Sequence, residues 1–368
     1  MSLKTLKIAF HFLIFIANII MAMLLLASAF SDRISPEKSL FFSYLGLFFP
    51  FFCFIILCFI LYWIFLRKWK FLLVNLFTIV LCWGAITRYF PLHMKSRELP
   101  VENTIKVLTY NVMSFGYQNH TQKNPNKILE YIANSNADIV CLQEYFESKS
   151  EKHLSLKKIR SVLKMYPYYN TNFSTINPHY KSGIAVFSKF PISKSRRIKY
   201  ESRNNSSSIH EIKIKEKKII LINNHLESFK LTSEDKSKYS QFLKNPGTDL
   251  LDRIKGSFQQ KLGPAYLIRA KQARIIRKEI DQAMSDYLLI CGDFNDTPIS
   301  YAHRTIQGNL SDAFAESGFG LGVTYNQNVF RFRIDNILHS KNMNPFNCTI
   351  EKIYYSDHFP VWCYLQLN

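Results

Sequence analysis

The chain has no Cys-x-x-Cys pair and no Cys/His spacing of zinc-site type, which argues against a metal held by thiolates. It also has no tandem repeat or low-complexity tract that would name a protein partner. Acidic residues are scarce, with 27 Asp and Glu against 47 Lys and Arg, and the formal charge of +20 favours phosphate-rich partners. Nucleic acid, anionic lipid and phosphorylated sugars all meet that description, and charge does not choose among them. Of the seven cysteines, Cys53, Cys58 and Cys82 lie in lipid-like sequence, and Cys141 and Cys291 lie in apolar strand-like runs, where they read as small buried hydrophobes. Cys348 and Cys363 are left as disulfide candidates.

What the chain has in quantity is apolar sequence, concentrated near its start. Residues 8–30, 40–66 and 71–88 form three runs long enough for membrane helices, and they are apolar on all faces, unlike the helices of a soluble core. Tyr89 and Phe90 then suit a membrane interface. Ala27-Ser28-Ala29 resembles a leader cleavage site, but the first run is too long for a leader, so a retained helix is expected. The scattered His11, Asn18, Thr78 and Trp83 are expected to pack between helices. Lys4 and Lys7 before the first run, and Arg67, Lys68 and Lys70 between the second and third, place those segments in the cytoplasm. Three crossings then put everything after Arg88 outside it, which in a bacterium means the periplasmic face of the inner membrane.

At 368 residues the chain can hold one large domain beside a smaller region, here divided as residues 1–95 and 101–368. Past Pro100 short apolar strands are expected at 105–110, 139–142, 183–188, 209–214, 219–223, 287–291, 334–338 and 361–367. Helices are expected at 124–134, 154–164 and 266–284. Many strands with a few helices imply two packed sheets with helices outside.

Several strand ends carry the groups that metal-assisted phosphate chemistry requires. V-L-T-Y-N-V ends near Asn111, whose amide can hold a phosphate oxygen or steady a metal ligand. D-I-V-C-L-Q-E delivers Glu144, a hard oxygen donor suited to a divalent cation. I-I-L-I-N-N-H-L carries His225, which alone reads more readily as structural. L-L-I-C-G-D-F-N-D-T-P sets Asp293 and Asn295 two apart, so both can face one way from an extended segment. Arg333-Ile334-Asp335 opens a strand, and Ser356-Asp357-His358-Phe359-Pro360 precedes the last one. Each station alone could be a turn or a cap. Their order is the signal.

Taken in order, the six stations resemble the endonuclease/exonuclease/phosphatase superfamily, with its deoxyribonuclease I-like and neutral sphingomyelinase-like branches. The resemblance covers Val101 to Asn368 and implies a four-layer α/β sandwich with the site at the strand ends of two central sheets. It further implies Mg²⁺ or Mn²⁺ held by Glu144, with Asn111 and Asp357 completing its surroundings. By the same resemblance, Asp293 orients or deprotonates the attacking water and Asn295 fixes that water. His225 and His358, the latter paired with Asp335, contact phosphoryl oxygens. The histidine in N-N-H-L departs from the apurinic endonucleases, and the segment around Arg333 lacks the Trp, Cys and Arg cluster of the inositol polyphosphate 5-phosphatases.

Asp249 to Phe258 places Leu250, Leu251, Ile254 and Phe258 at helical spacing beside Arg253 and Lys255, as in an interfacial helix, a flap, or an ordinary surface helix. Arg269, Lys271, Arg274, Arg277 and Lys278 read as a solvated basic face, with attraction of anionic lipid or nucleic acid as the alternative. Three functions follow: a membrane-tethered hydrolase acting on a lipid head group or small phosphorylated molecule, an extracytoplasmic DNA or RNA nuclease, and a non-catalytic receptor for a phosphorylated ligand. The intact acidic and histidine set opposes the third.

Overall fold

The computed structural model describes residues 3–96, 98, 102–202, 204–245, 248–327 and 330–368. The expected boundary at Val101 and the side chains of Leu250, Leu251, Arg253, Ile254, Lys255 and Phe258 lie outside the described residues. The apolar sequence forms α1 (Leu3–Ala29), α2 (Leu40–Leu47), α3 (Phe49–Phe65) and α4 (Trp69–Tyr89). Two helices, α1 and α4, are long and apolar enough to cross a membrane, and α2 with α3 makes a third candidate bent by 59°. The second run is therefore not one straight span. Pro50 sits in the first turn of α3 and has no N–H to give the Gly46 carbonyl, so α2 stops and a new helix starts.

The helices pack an apolar cluster that includes Leu25, Phe49, Ile56 and Ala85, with a few polar contacts among it. Asn18 and Asn75 exchange amide hydrogen bonds at 2.6 and 2.9 Å, and Trp63 Nε1 donates to Asn18 Oδ1 at 2.7 Å. His11 Nδ1 meets the Tyr62 hydroxyl at 3.0 Å. Trp83 departs from expectation, being 60% exposed on the outer side of α4. The end of α3 thus lies beside the start of α1, while Phe49 at its other end stacks near Tyr89 at the end of α4, with ring centroids 5.6 Å apart. At about 1.5 Å per residue, α3 covers roughly 26 Å between those levels.

The following domain contains strands β1 (Thr104–Asn111), β2 (Ile139–Ser148), β3 (Tyr168–Ile176), β4 (Tyr180–Ser188), β5 (Ile192–Ile198), β6 (Ser206–Ile214), β7 (Lys217–His225), β8 (Tyr287–Asp293), β9 (Ser311–Asp312), β10 (Tyr325–Gln327), β11 (Phe330–Phe332), β12 (Asp335–His339), β13 (Met343–Ile350) and β14 (Val361–Leu367). They build two mixed six-stranded sheets, ordered β13-β14-β1-β2-β4-β3 and β5-β6-β7-β8-β12-β9, and a small β10-β11 hairpin. Each large sheet has one parallel pair at its centre, β1 with β2 and β7 with β8.

Between the sheets, Val107, Ile139, Cys141, Leu221, Leu289, Cys291 and Ile337 pack into one core. Helices close the outer faces. Lys127–Asn134 starts at Asn126, whose side chain accepts from Ile128 and Leu129 N–H, and packs Ile128, Leu129 and Ile132 on the first sheet. The long helix Thr248–Asp281 packs Ala273, Ile276 and Ile280 on the second. This is the expected four-layer sandwich. Cys348 and Cys363 are buried free thiols in its core.

The apolar helices join this domain through a built interface. Ile299 of the domain is fully buried in the helix cluster with Phe49, Phe52 and Ala85. Arg333 Nη2 of the domain donates to the Arg88 carbonyl at 2.6 Å, while the Arg88 guanidinium is held within the helical region by Asp32 Oδ2 at 2.8 Å. Arg333 also pairs with buried Asp312 at 3.0 Å. The basic helix face proves partly structural: Arg269 is buried against Asp296, and Arg274 reaches Glu37 at 2.8 Å.

Candidate active site

The two parallel strand pairs run in register, so their C-terminal ends come together. Asn111 lies opposite Gln143, and Asp293 lies between His225 and Asp335. Glu144 follows Gln143 at a shift in the pairing of β2 with β4, with φ of +50°, a bulge that turns its carboxylate off the strand axis. Gly292 permits the close approach of β7 and β8: its φ is +126°, and a Cβ there would lie 2.0 Å from the Asn224 carbonyl oxygen.

Asn111 Nδ2 donates to Glu144 Oε1 and to Asp293 Oδ2, each at 3.1 Å, bridging the two sheets. Its Oδ1 accepts from Met113 N–H, which fixes the amide. Asn295 N–H donates to Asp293 Oδ1 at 2.8 Å, and its Nδ2 donates to the Leu226 carbonyl at 2.9 Å. His358 Nδ1 meets Asp335 Oδ2 at 2.8 Å, and its Nε2 faces Asp293 Oδ2 at 3.7 Å. His225 Nε2 lies 3.8 Å from Asp293 Oδ2 and 3.9 Å from Glu144 Oε1. Asp357 accepts from Ser356 Oγ and borders the same cavity of about 240 Å³ as Glu144, Asp293, Asn295, His225 and His358.

Burial and crowding of like charge set the electrostatics. Desolvation, then the neighbouring Asp335, raises the Asp293 pKa to about 6, against the opposing pull of His358 and His225. Burial would discharge His358, but Asp335 and Asp293 outweigh it and raise its pKa to about 10. His225 is lowered by burial, partly offset by Asp293. Glu144 is raised by burial, against the hydrogen bond from Asn111, with Asp357 and Asp335 adding to the rise.

A cation fits this set. Four carboxylates converge here, Asp335 Oδ1 is buried with no hydrogen-bond partner among the described residues, and the donors are hard oxygens. Asp293, Asp335 and His358 present ligand atoms within 4.8 Å of one another and could hold a metal. Within that trio, His358 Nδ1 is engaged by Asp335 at 2.8 Å, which leaves Nε2 as its free ligand atom. Glu144 is more open, its side chain 37% exposed to the cavity.

The structure therefore gathers all eight residues singled out from the sequence: Asn111, Glu144, His225, Asp293, Asn295, Asp335, Asp357 and His358. Others were not legible beforehand. The Tyr325 ring lies 5.0 Å from that of His358, and Lys230 and Leu47 border the cavity. Arg269 holds both flanking loops, through Asp296 Oδ2 at 3.1 Å and the Glu227 carbonyl at 2.7 Å. Only the basic run containing Arg269 gave any sign, and it pointed to solvent.

A family model described as the Endonuclease/Exonuclease/phosphatase family matches residues 108–358. A second, described as a domain of unknown function, matches residues 11–89. No curated protein matches the chain. Similar solved structures include an endonuclease/exonuclease/phosphatase from Beutenbergia cavernae, with 14% identity over 73% of this chain and 72% of that one and a TM-score of 0.49. A family protein from Bacteroides thetaiotaomicron has 16% identity over 72% and 98%, with a TM-score of 0.49. D. rerio TDP2 complexed with a single-strand DNA product has 16% identity over 72% and 99%, with a TM-score of 0.47.

Proposed function

The chain belongs to the endonuclease/exonuclease/phosphatase family, and from that premise we propose that this phosphoric ester hydrolase is membrane-anchored and cleaves a phosphodiester or phosphomonoester of a lipid head group or small phosphorylated molecule. The observation that carries this reading is the interface between helices and domain. Arg333 on the Arg88 carbonyl, Arg304 on Asp32 and the buried Ile299 hold the domain against the apolar helices, so the cavity stays beside that region.

In the mechanism, Glu144 and Asp357 would hold Mg²⁺ or Mn²⁺, with Asn111 steadying Glu144. The cation would offset the charge that develops on the phosphate in the transition state. Asp293, held by Asn111 and by the Asn295 N–H, takes the proton of the attacking water, and Asn295 positions that water. His358 donates from Nε2 to a phosphoryl oxygen while Asp335 fixes its tautomer through Nδ1. His225 contacts a second oxygen.

The basic residues Lys4, Lys7, Arg67, Lys68 and Lys70 support a cytoplasmic start and second loop, and with three crossings this reading has the domain on the extracytoplasmic face. In a bacterium this is the periplasmic side of the inner membrane. A second reading, a nuclease, is favoured by the +20 charge. Purified full-length protein with Mg²⁺ or Mn²⁺, given phospholipids, sphingolipids and plasmid DNA in separate reactions, tests the two. Head-group release is expected; nicked plasmid with intact lipid would establish the nuclease instead.

A further inference from the structure

The catalytic cavity has a second wall that phosphate chemistry does not use. Leu47, Phe229, Leu231, Leu262, Phe332 and Ile334 border it beside Asp293 and His358. None of these side chains can bond a phosphoryl oxygen. Five belong to the catalytic domain, but Leu47 is the last residue of α2, at the bend between two apolar helices.

This wall is braced from both sides. Tyr44 of α2 meets Tyr266 edge-on with ring centroids 5.9 Å apart, and Tyr266 meets Phe229 edge-on at 5.2 Å. The Arg269 guanidinium lies over Phe229 at 4.2 Å and over Tyr266 at 4.8 Å. A Cβ at Gly263 would lie only 3.2 Å from Leu40 Cδ1 and 3.3 Å from the Tyr44 hydroxyl, so α2 sits directly on the long helix. Immediately past Leu47, Phe48 and Phe51 are 49% and 55% exposed on the outer, apolar side of the helices. Apolar side chains thus follow one another along the chain from the helix exterior at Phe51 and Phe48 to Leu47 in the cavity wall. Lys230 is the single Lys or Arg bordering the cavity among the described residues, and it is paired with Glu227 at 2.5 Å. A nucleic acid backbone needs a track of free cations, which this cavity does not offer.

We infer that the substrate is an amphiphile whose hydrocarbon chain lies along Leu47, Phe229, Leu231 and Phe332 while its phosphate sits at Glu144 and Asp293, the chain entering from the bilayer past Phe48. The inference rests on the phosphoesterase reading above and names its substrate class. It makes α2 a substrate-binding element rather than part of a passive anchor.

The test uses full-length protein in nanodiscs with Mg²⁺ or Mn²⁺ and a series of p-nitrophenyl alkyl phosphodiesters, methyl, butyl and octyl, that share one scissile bond. At roughly 0.8 kcal/mol per buried methylene, or about fourfold each, burial of even three of the added methylenes should raise kcat/KM about sixtyfold from methyl to octyl, chiefly through KM. Leu47→Asp should flatten the series, and Leu231→Asp, in a loop rather than at the helix bend, should do so as well. Equal kcat/KM across the series in the wild-type protein would overturn the inference and leave the phosphoesterase reading standing. Nitrophenolate release from none of the esters would overturn both.

Discussion

Arg333→Ala perturbs the joint between the apolar helices and the catalytic domain at a buried ion pair. Arg333 is 1% exposed, pairs with Asp312 at 3.0 and 3.3 Å, and donates to the Arg88 carbonyl at 2.6 Å. Breaking a buried pair costs about 3–5 kcal/mol, because the partner charge stays behind without compensation. Asp312 keeps the Phe314 and Ala315 N–H groups at 2.9 and 3.3 Å, which places the expected loss near the lower end, about 3 kcal/mol. At roughly 2–4 °C per kcal/mol for a domain of this size, Tm should fall by about 6–12 °C. Thermal unfolding of the detergent-solubilised full-length protein measures it. Replacing Asp312 as well, in Arg333→Ala/Asp312→Asn, should cost less than the sum of the two single changes, since the stranded charge is then removed. A Tm within about 2 °C of wild type for Arg333→Ala would show that the joint does not carry the stability assigned to it.

Gly292→Ala should cost about 3 kcal/mol or more, because the new Cβ meets backbone at 2.0 Å and the backbone is left-handed; an unchanged Tm would refute the close approach of β7 and β8. His210 is buried between Ser195 and Ser208 hydroxyls, each 2.7 Å away, and burial lowers its pKa from 6.5 to about 4. The folded state resists protonation, so this contribution is complete above pH 6.5 and is lost as pH falls from there toward 4, up to about 3 kcal/mol. Tm measured across that range should fall less steeply in His210→Gln than in wild type; parallel slopes would contradict the assignment.

The sequence was most readable where local chemistry and tertiary role coincide. The run from Leu288 to Asp293 is an apolar buried strand ending in its carboxylate, and both facts are written in adjacent residues. By contrast, β3 reads Y-Y-N-T-N-F-S-T-I and β5 reads I-S-K-S-R-R-I, polar edge strands without the apolar run that marks a central one. The break at Phe48 was hidden by uniform apolarity, although Gly46 and Pro50 were its available signals. Leu47 could not be assigned to the cavity at all. Its place there depends on packing against residues more than 180 positions away, for which no local pattern exists.

The most direct test of the account is the rate of nitrophenolate release from p-nitrophenyl octyl phosphate by wild-type protein and by Asp293→Ala, each with Mg²⁺ or Mn²⁺ and again with chelator. The account predicts metal-dependent release that falls by a factor on the order of 10² to 10⁴ when Asp293 is removed, the range typical of a lost general base. Release that persists in Asp293→Ala, or that is indifferent to chelation, would contradict it.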